Sequence, residues 1–222
     1  MVGFDYIQAI LSHKFYVPMD DNKCYHLIEV QDNVPKRKGL IQNILINENG
    51  ISDFKLYKFD TKETESNTKK LDPFPFFNKD NKTVPAGIRT FCDYFAICTH
   101  NDTFSIILFE LKTIEKIDSK GIEKREAKEQ LQISECFAKY VIDLANTTKN
   151  KNKRNYNGIE KYTFSCDNIF KCIIISVIKN PPTIITNPKK SKKQTVFQHE
   201  GNNVYSGVFK LNDELALEDL FI

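Results

Sequence analysis

Tryptophan is absent from this 222-residue chain and methionine occurs only twice. Glycine and proline number eight each, too few for a collagen-like or low-complexity chain. No stretch approaches the roughly 18 uncharged apolar residues of a membrane-spanning helix, so no membrane partner is expected. The opening MVGFDYIQAI has no basic segment and carries Asp5, which argues against a secretory signal. The six cysteines, at positions 24, 92, 98, 136, 166 and 172, form no C-x2-C pair. They are expected to be reduced, mostly buried thiols in a cytoplasmic protein rather than a zinc site. The four histidines show no i, i+4 pairing and are assigned no catalytic role. What remains is ordinary globular material: 41% hydrophobic and 27% charged, long enough for one domain with a substantial core.

The net charge of +3 conceals a separation. Residues 149–193 hold eleven Lys/Arg against Glu160 and Asp167, or +9, leaving −6 for the other 177 residues. Two clusters stand out: Lys149/Lys151/Lys153/Arg154 and Lys189/Lys190/Lys192/Lys193. Clustered cations displace counterions from phosphates and are a footprint for polyanions. The bland alternative is solvated Lys-Asn loops in a chain that holds 20 Asn and 25 Ile.

Periodicity and turn signals predict a short helix over 3–12 and an ambiguous strand or loop around Cys24–Val30. Two β-prone runs, Gly39–Ile46 and Ile51–Phe59, flank Asn47-Glu48-Asn49-Gly50 and read as a hairpin. Residues 60–86 read as a long loop, and Phe74, Phe76 and Phe77 within it are expected to anchor on the domain's own surface rather than stack on bases. Residues 88–99 and 103–112 form a second strand pair. A long helix is predicted over 121–146, with Ile133, Phe137, Tyr140 and Leu144 as one stripe and Leu131, Ser134, Ala138, Val141 and Ala145 as a smaller neighbouring one. Phe170–Ile178 reads as a central strand buried on both faces. Thr195–Gln198 and Val204–Phe209 resemble an edge hairpin around Gly201-Asn202-Asn203, and Asn212 is placed to cap a final short helix. The whole is expected to be a single α/β (α+β) domain.

The chemistry concentrates in Ile88–Thr113. Both strands of this pair are apolar on both faces, yet they carry Asp93, Glu110 and Lys112. A buried carboxylate is costly unless paired or metal-bound. If Asn101-Asp102 is a two-residue turn, His100 pairs with Thr103 and Asp93 lies opposite Glu110. Lys112 shares that face, because alternate residues of a strand point the same way. Two carboxylates so placed either hold a divalent ion such as Mg2+, with Lys112 serving a bound water or a phosphate, or form a buried Asp–Lys–Glu salt bridge.

Asp93 on one strand, Glu110-Leu111-Lys112 on the next and a long helix thereafter resemble the PD-(D/E)xK nuclease superfamily, over roughly Gly39–Lys179. The resemblance implies a restriction-endonuclease-like αβββαβ core, a mixed central sheet flanked by helices, here with an N-terminal helix and C-terminal hairpin and helix added. It implies metal ligation by Asp93 and Glu110, water activation or phosphate contact by Lys112, and Mg2+ or Mn2+ as cofactor. AKEQLQIS (Ala127–Ser134) resembles the superfamily's helix segment and makes Gln130 the orienting residue, with Gln132 a weaker match. The sequence departs from the pattern in three ways. Cys92 stands where a Pro often precedes the first acid, Ser134 stands where a Tyr can follow the Gln by four, and a further acid has only Glu29 and Glu48 as candidates. Arg89 and the two Lys/Arg clusters are the expected nucleic-acid contacts. The expected function is hydrolysis of phosphodiester bonds in DNA, more than RNA, with defence or repair as its setting, by a homodimer or a subunit of a complex. The alternative is a nuclease-fold protein that binds nucleic acid or a complex without turnover.

Overall fold

Asn101 and Asp102 both adopt left-handed backbone conformations, with φ of 47° and 60°, as a two-residue hairpin turn requires. They join β5 (Tyr94–His100) to β6 (Thr103–Ile114), which pair antiparallel from His100↔Thr103 to Tyr94↔Phe109. This is the expected register. The computed structural model describes residues 2–29, 42–47, 51–59, 91–114, 120–177, 197–209 and 213–221.

On one side of the hairpin, β4 (Ser52–Lys58) pairs antiparallel with β5 and with the two-residue edge strand β1 (Tyr16–Val17). On the other side the chain leaves β6, runs through helix α2 (Lys120–Thr148) and returns as β7 (Ile169–Val177), parallel to β6. A parallel partner needs such a crossover. β9 (Val204–Phe209) adds parallel to β7, and β8 (Gln198–His199) pairs antiparallel with β9 across Gly201-Asn202-Asn203. The result is a mixed seven-stranded sheet in the order β1-β4-β5-β6-β7-β9-β8.

Strand alternation sorts the core into two layers. Ile106 and Leu108 of β6, Phe95 and Ile97 of β5 and Ile173 and Ile175 of β7 face α2 and helix α1 (Val2–Ile10). Ile107, Phe109 and Leu111, with Tyr94, Ala96, Cys172 and Ile174, face the other way. That second face is covered by a three-stranded sheet, β10 (Glu214–Ala216), β3 (Gln42–Asn47) and β2 (Tyr25–Glu29), and by a 3-10 turn over Leu217–Phe221. β7, between β6 and β9, is buried on both faces as expected.

Three expectations change. The strands on either side of Asn47–Gly50 are not a hairpin: β3 bonds to β2 and β10, whereas β4 bonds to β1 and β5. Phe54 and Leu56 of β4 feed one core layer and Tyr57 the other, so β4 needs cover on both sides and takes an interior place in the large sheet. Of the strand expected over 88–99, Phe91–Asp93 lie outside β5, so Asp93 sits in the bend before the ladder rather than opposite Glu110. On α2, Leu131, Ser134, Ala138, Val141 and Ala145 are buried, Phe137 packs on Phe59 and Phe95, and Tyr140 is 60% exposed. Finally, the short C-terminal helix ends at Phe221 as expected but is a 3-10 helix that starts only at Leu217, because β10 takes up Glu214–Ala216. Asn212 lies outside the described residues, as do Val30, Gly39–Ile41, Glu48–Gly50, 60–90, which include the loop expected over 60–86, and 178–196. No helix among the described residues is long and apolar enough to cross a membrane.

Candidate functional site

The polar residues of the β5–β6 hairpin gather where the ladder ends. β6 continues past its last pair with β5, and the chain bends at Asp93. The Leu111 N–H, on the β5 side of β6, is taken by the Asp93 carboxylate, with Oδ2 at 2.7 Å. Across the bend, the Asp93 carbonyl accepts the Phe59 N–H at 3.0 Å. The sequence thus places an acid where a strand must stop, and the acid substitutes for the missing strand partner.

Glu110 points toward α2, in the row of Ile106 and Leu108, and its side chain is only 2% exposed. Lys112, two residues on, brings Nζ to 2.9 Å from Glu110 Oε1. The same Nζ donates to Gln130 Oε1 of α2 at 2.7 Å. The lysine therefore joins strand to helix, and a charge-assisted pair compensates a carboxylate that would otherwise be costly to bury. Burial pushes the Cys92 thiol well up, and the charges of Glu110 and Asp93 push it further, while a hydrogen bond from Ser134 opposes them. Both acids thus lie near enough to the Cys92 thiol to disfavour its ionisation. An aromatic wall stands beside the bend: Phe59 and Phe95 meet Phe137 edge-on at centroid distances of 5.2 and 5.9 Å.

Glu110 and Lys112 of β6 and Gln130 of α2 meet through direct contacts, and Asp93, in the bend before β5, is held on the backbone amide of Leu111 between the acid and the lysine. Gln132, the weaker match, is exposed. Lys151, Lys153 and Arg154 are exposed, but they lie past the far end of α2. At 1.5 Å per residue that end is about 28 Å from Gln130, so these cations are not part of the same cluster. Glu29 closes β2 in the smaller sheet. Arg89, Glu48, Lys189, Lys190, Lys192, Lys193 and the loop phenylalanines lie outside the described residues. Ser134 is a participant that the sequence reading left in a packing stripe. Its hydroxyl is the acceptor for the Cys92 N–H at 2.7 Å, and only its position one turn after Gln130 hinted at a role.

Two carboxylates are a modest donor set. Among the described residues no group of three or more His, Cys, Asp or Glu converges. Mg2+ can be held by one or two carboxylates with water and substrate phosphate completing its shell, so the residues present are compatible with such an ion in number and in hardness. Away from the site, two ion clusters fasten α2 to the sheet. Glu135 binds Lys139 at 2.8 Å and the buried Lys171 at 2.6 Å, and Glu200 binds Lys124 and Lys128. All six cysteines are free thiols, with Cys92, Cys98 and Cys172 buried. Comparison with protein-family models, with curated proteins and with solved structures finds no match to this chain.

Proposed function

We propose that this protein is a Mg2+- or Mn2+-dependent nuclease that hydrolyses phosphodiester bonds in DNA. The observation that carries the reading is the Glu110–Lys112–Gln130 chain of contacts at one end of a hairpin, with the Asp93 carboxylate on the amide of the intervening Leu111. The succession β4, β5, β6, α2, β7, preceded by α1 with β1, β2 and β3 between, contains the αβββαβ order that the resemblance implies, and supports it to that extent. Asp93 and Glu110 would hold the ion, whose chemistry is to acidify water and offset charge on a phosphate. The chain's own contribution is positional. The Leu111 amide fixes one Asp93 oxygen, and Gln130 keeps the Lys112 ammonium at the mouth of the site, where it would face the anionic phosphate. A substrate strand touching both this site and the Lys151–Arg154 end would have to run along about 28 Å of α2.

The test is cleavage of plasmid and of single-stranded oligonucleotides in Mg2+, Mn2+ and EDTA. Asp93→Asn keeps an acceptor for the Leu111 amide and removes the charge. It is expected to abolish cleavage while leaving the melting temperature within a few degrees of the parent. Cleavage that survives both EDTA and Asp93→Asn would sink the proposal. A second reading, a nuclease-fold binder without turnover, is favoured by one feature: Lys112 already joins Glu110 and Gln130, and Asp93 a backbone amide. It predicts salt-sensitive DNA binding with no cleavage in any divalent metal.

A further inference from the structure

Ser134 sits on α2 one turn beyond Gln130 and is fully buried. Its Oγ accepts the Cys92 N–H at 2.7 Å and donates to the Gln130 carbonyl at 3.0 Å. A hydroxyl can do both at once, having one proton and two lone pairs. Cys92 is buried and precedes the first residue of β5, so among the described residues its amide has no ladder partner and is given to this hydroxyl instead. The two bonds therefore run from the residue preceding Asp93 to the residue that carries the Lys112 acceptor. One hydroxyl links the strand-borne half of the site to the helix-borne half.

We infer that Ser134 is the positioning residue that sets the register of the Gln130 turn against the Asp93 bend, and through Gln130 the placement of the Lys112 ammonium. This deepens the nuclease reading in naming what aligns its site, but the alignment itself is measurable without turnover. Substituting the hydroxyl leaves a buried amide without an acceptor. The local opening that exposes it becomes easier by the value of one buried hydrogen bond, about tenfold. The Gln130 turn is then free to shift along the strands, and the bond from Lys112 to Gln130 Oε1 lengthens.

The experiment uses the full chain labelled with 15N, reading amide exchange at Cys92 and the side-chain ammonium signal of Lys112. Ser134→Ala is compared with Ser134→Cys, which keeps the volume but is a weak acceptor, so that a cavity effect is separated from the lost bond. In both variants the Cys92 amide is expected to exchange about tenfold faster and the Lys112 signal to shift or broaden. A lower melting temperature with the Lys112 signal unmoved would show a merely structural serine and overturn the inference, as would an unchanged Cys92 amide. If the parent cuts DNA, both variants should lose kcat with KM held; equal kcat would also overturn it. If the parent does not cut, the nuclease reading fails, and the Cys92 and Lys112 signals decide the role of Ser134 on their own.

Discussion

Replacing Lys112 by Met removes the ammonium and keeps most of the stem. Glu110 would then be a carboxylate with 2% side-chain exposure that has lost the cation 2.9 Å away, and Gln130 would lose its donor at 2.7 Å. Breaking a buried pair from one side costs about 3–5 kcal/mol, most of it the stranded charge. Set against a total stability of about 5–15 kcal/mol, that is a large fraction. In guanidinium chloride at pH 7 the unfolding midpoint should fall by about 1 M, taking a slope of about 4 kcal/mol per molar. The double variant Glu110→Gln/Lys112→Met should recover much of the loss, since no uncompensated charge remains buried. A metal arm separates the two readings of the site. If Asp93 and Glu110 hold a divalent ion, Mg2+ at about 100 times its Kd should restore about 2.7 kcal/mol to Lys112→Met. NaCl of equal ionic strength should not. A plain salt bridge predicts no difference between the two salts. A loss under about 1 kcal/mol for Lys112→Met would refute the premise that the lysine compensates the buried acid.

Glu200 offers a pH test. Burial pulls its pKa upward, but hydrogen bonds from Lys124, Lys128 and Ser206 hold it down to about 2 against an ordinary 4.5. A depressed carboxyl stabilises the fold above its unfolded pKa and ceases to do so as pH falls through the folded one. The contribution is thus lost between about pH 4.5 and about pH 2. Glu200→Gln should cost about 1–3 kcal/mol at pH 7, the range allowing for solvent at the cluster, and the two proteins should converge near pH 2 when melting is followed by circular dichroism. Simultaneous Ala substitution of Lys151, Lys153 and Arg154 should lower the salt dependence of DNA binding by about three counterions. Fluorescence anisotropy across a salt series reads this, and an unchanged slope would remove that loop from the interface. Asp102→Gly should stabilise the protein by about 0.5 kcal/mol in thermal melts, because φ is 60° there and glycine takes that conformation without steric cost.

The local parts of the site were legible because they depend on neighbours in sequence. A two-residue turn at Asn101-Asp102 with an alternating strand on each side admits one pairing that keeps the apolar rows aligned, and that pairing holds as far as Tyr94↔Phe109, one step short of the pair expected between Asp93 and Glu110. The long helix and the doubly buried strand after it were equally readable from periodicity and apolar run length. The partner of β3 was not. A strand and a turn signal say that the chain reverses, but not which sheet the next strand joins, and β3 and β4 went to different layers. The two stripes of α2 were readable, but not how deeply each is buried: the sheet covers Leu131, Ser134, Ala138, Val141 and Ala145 and leaves Tyr140 exposed.

By itself, then, the sequence determined the acids, the lysine and the register that sets them on one end of a hairpin, through backbone geometry acting over a few residues. Only the tertiary structure decided what surrounds them. It delivered Gln130 to Lys112 across 18 positions of chain and Ser134 to Cys92 across 42. It also left the Lys151–Arg154 loop at the far end of α2. Those contacts depend on how closely a helix packs on a sheet, which is settled by the volumes of many side chains together and by no short pattern.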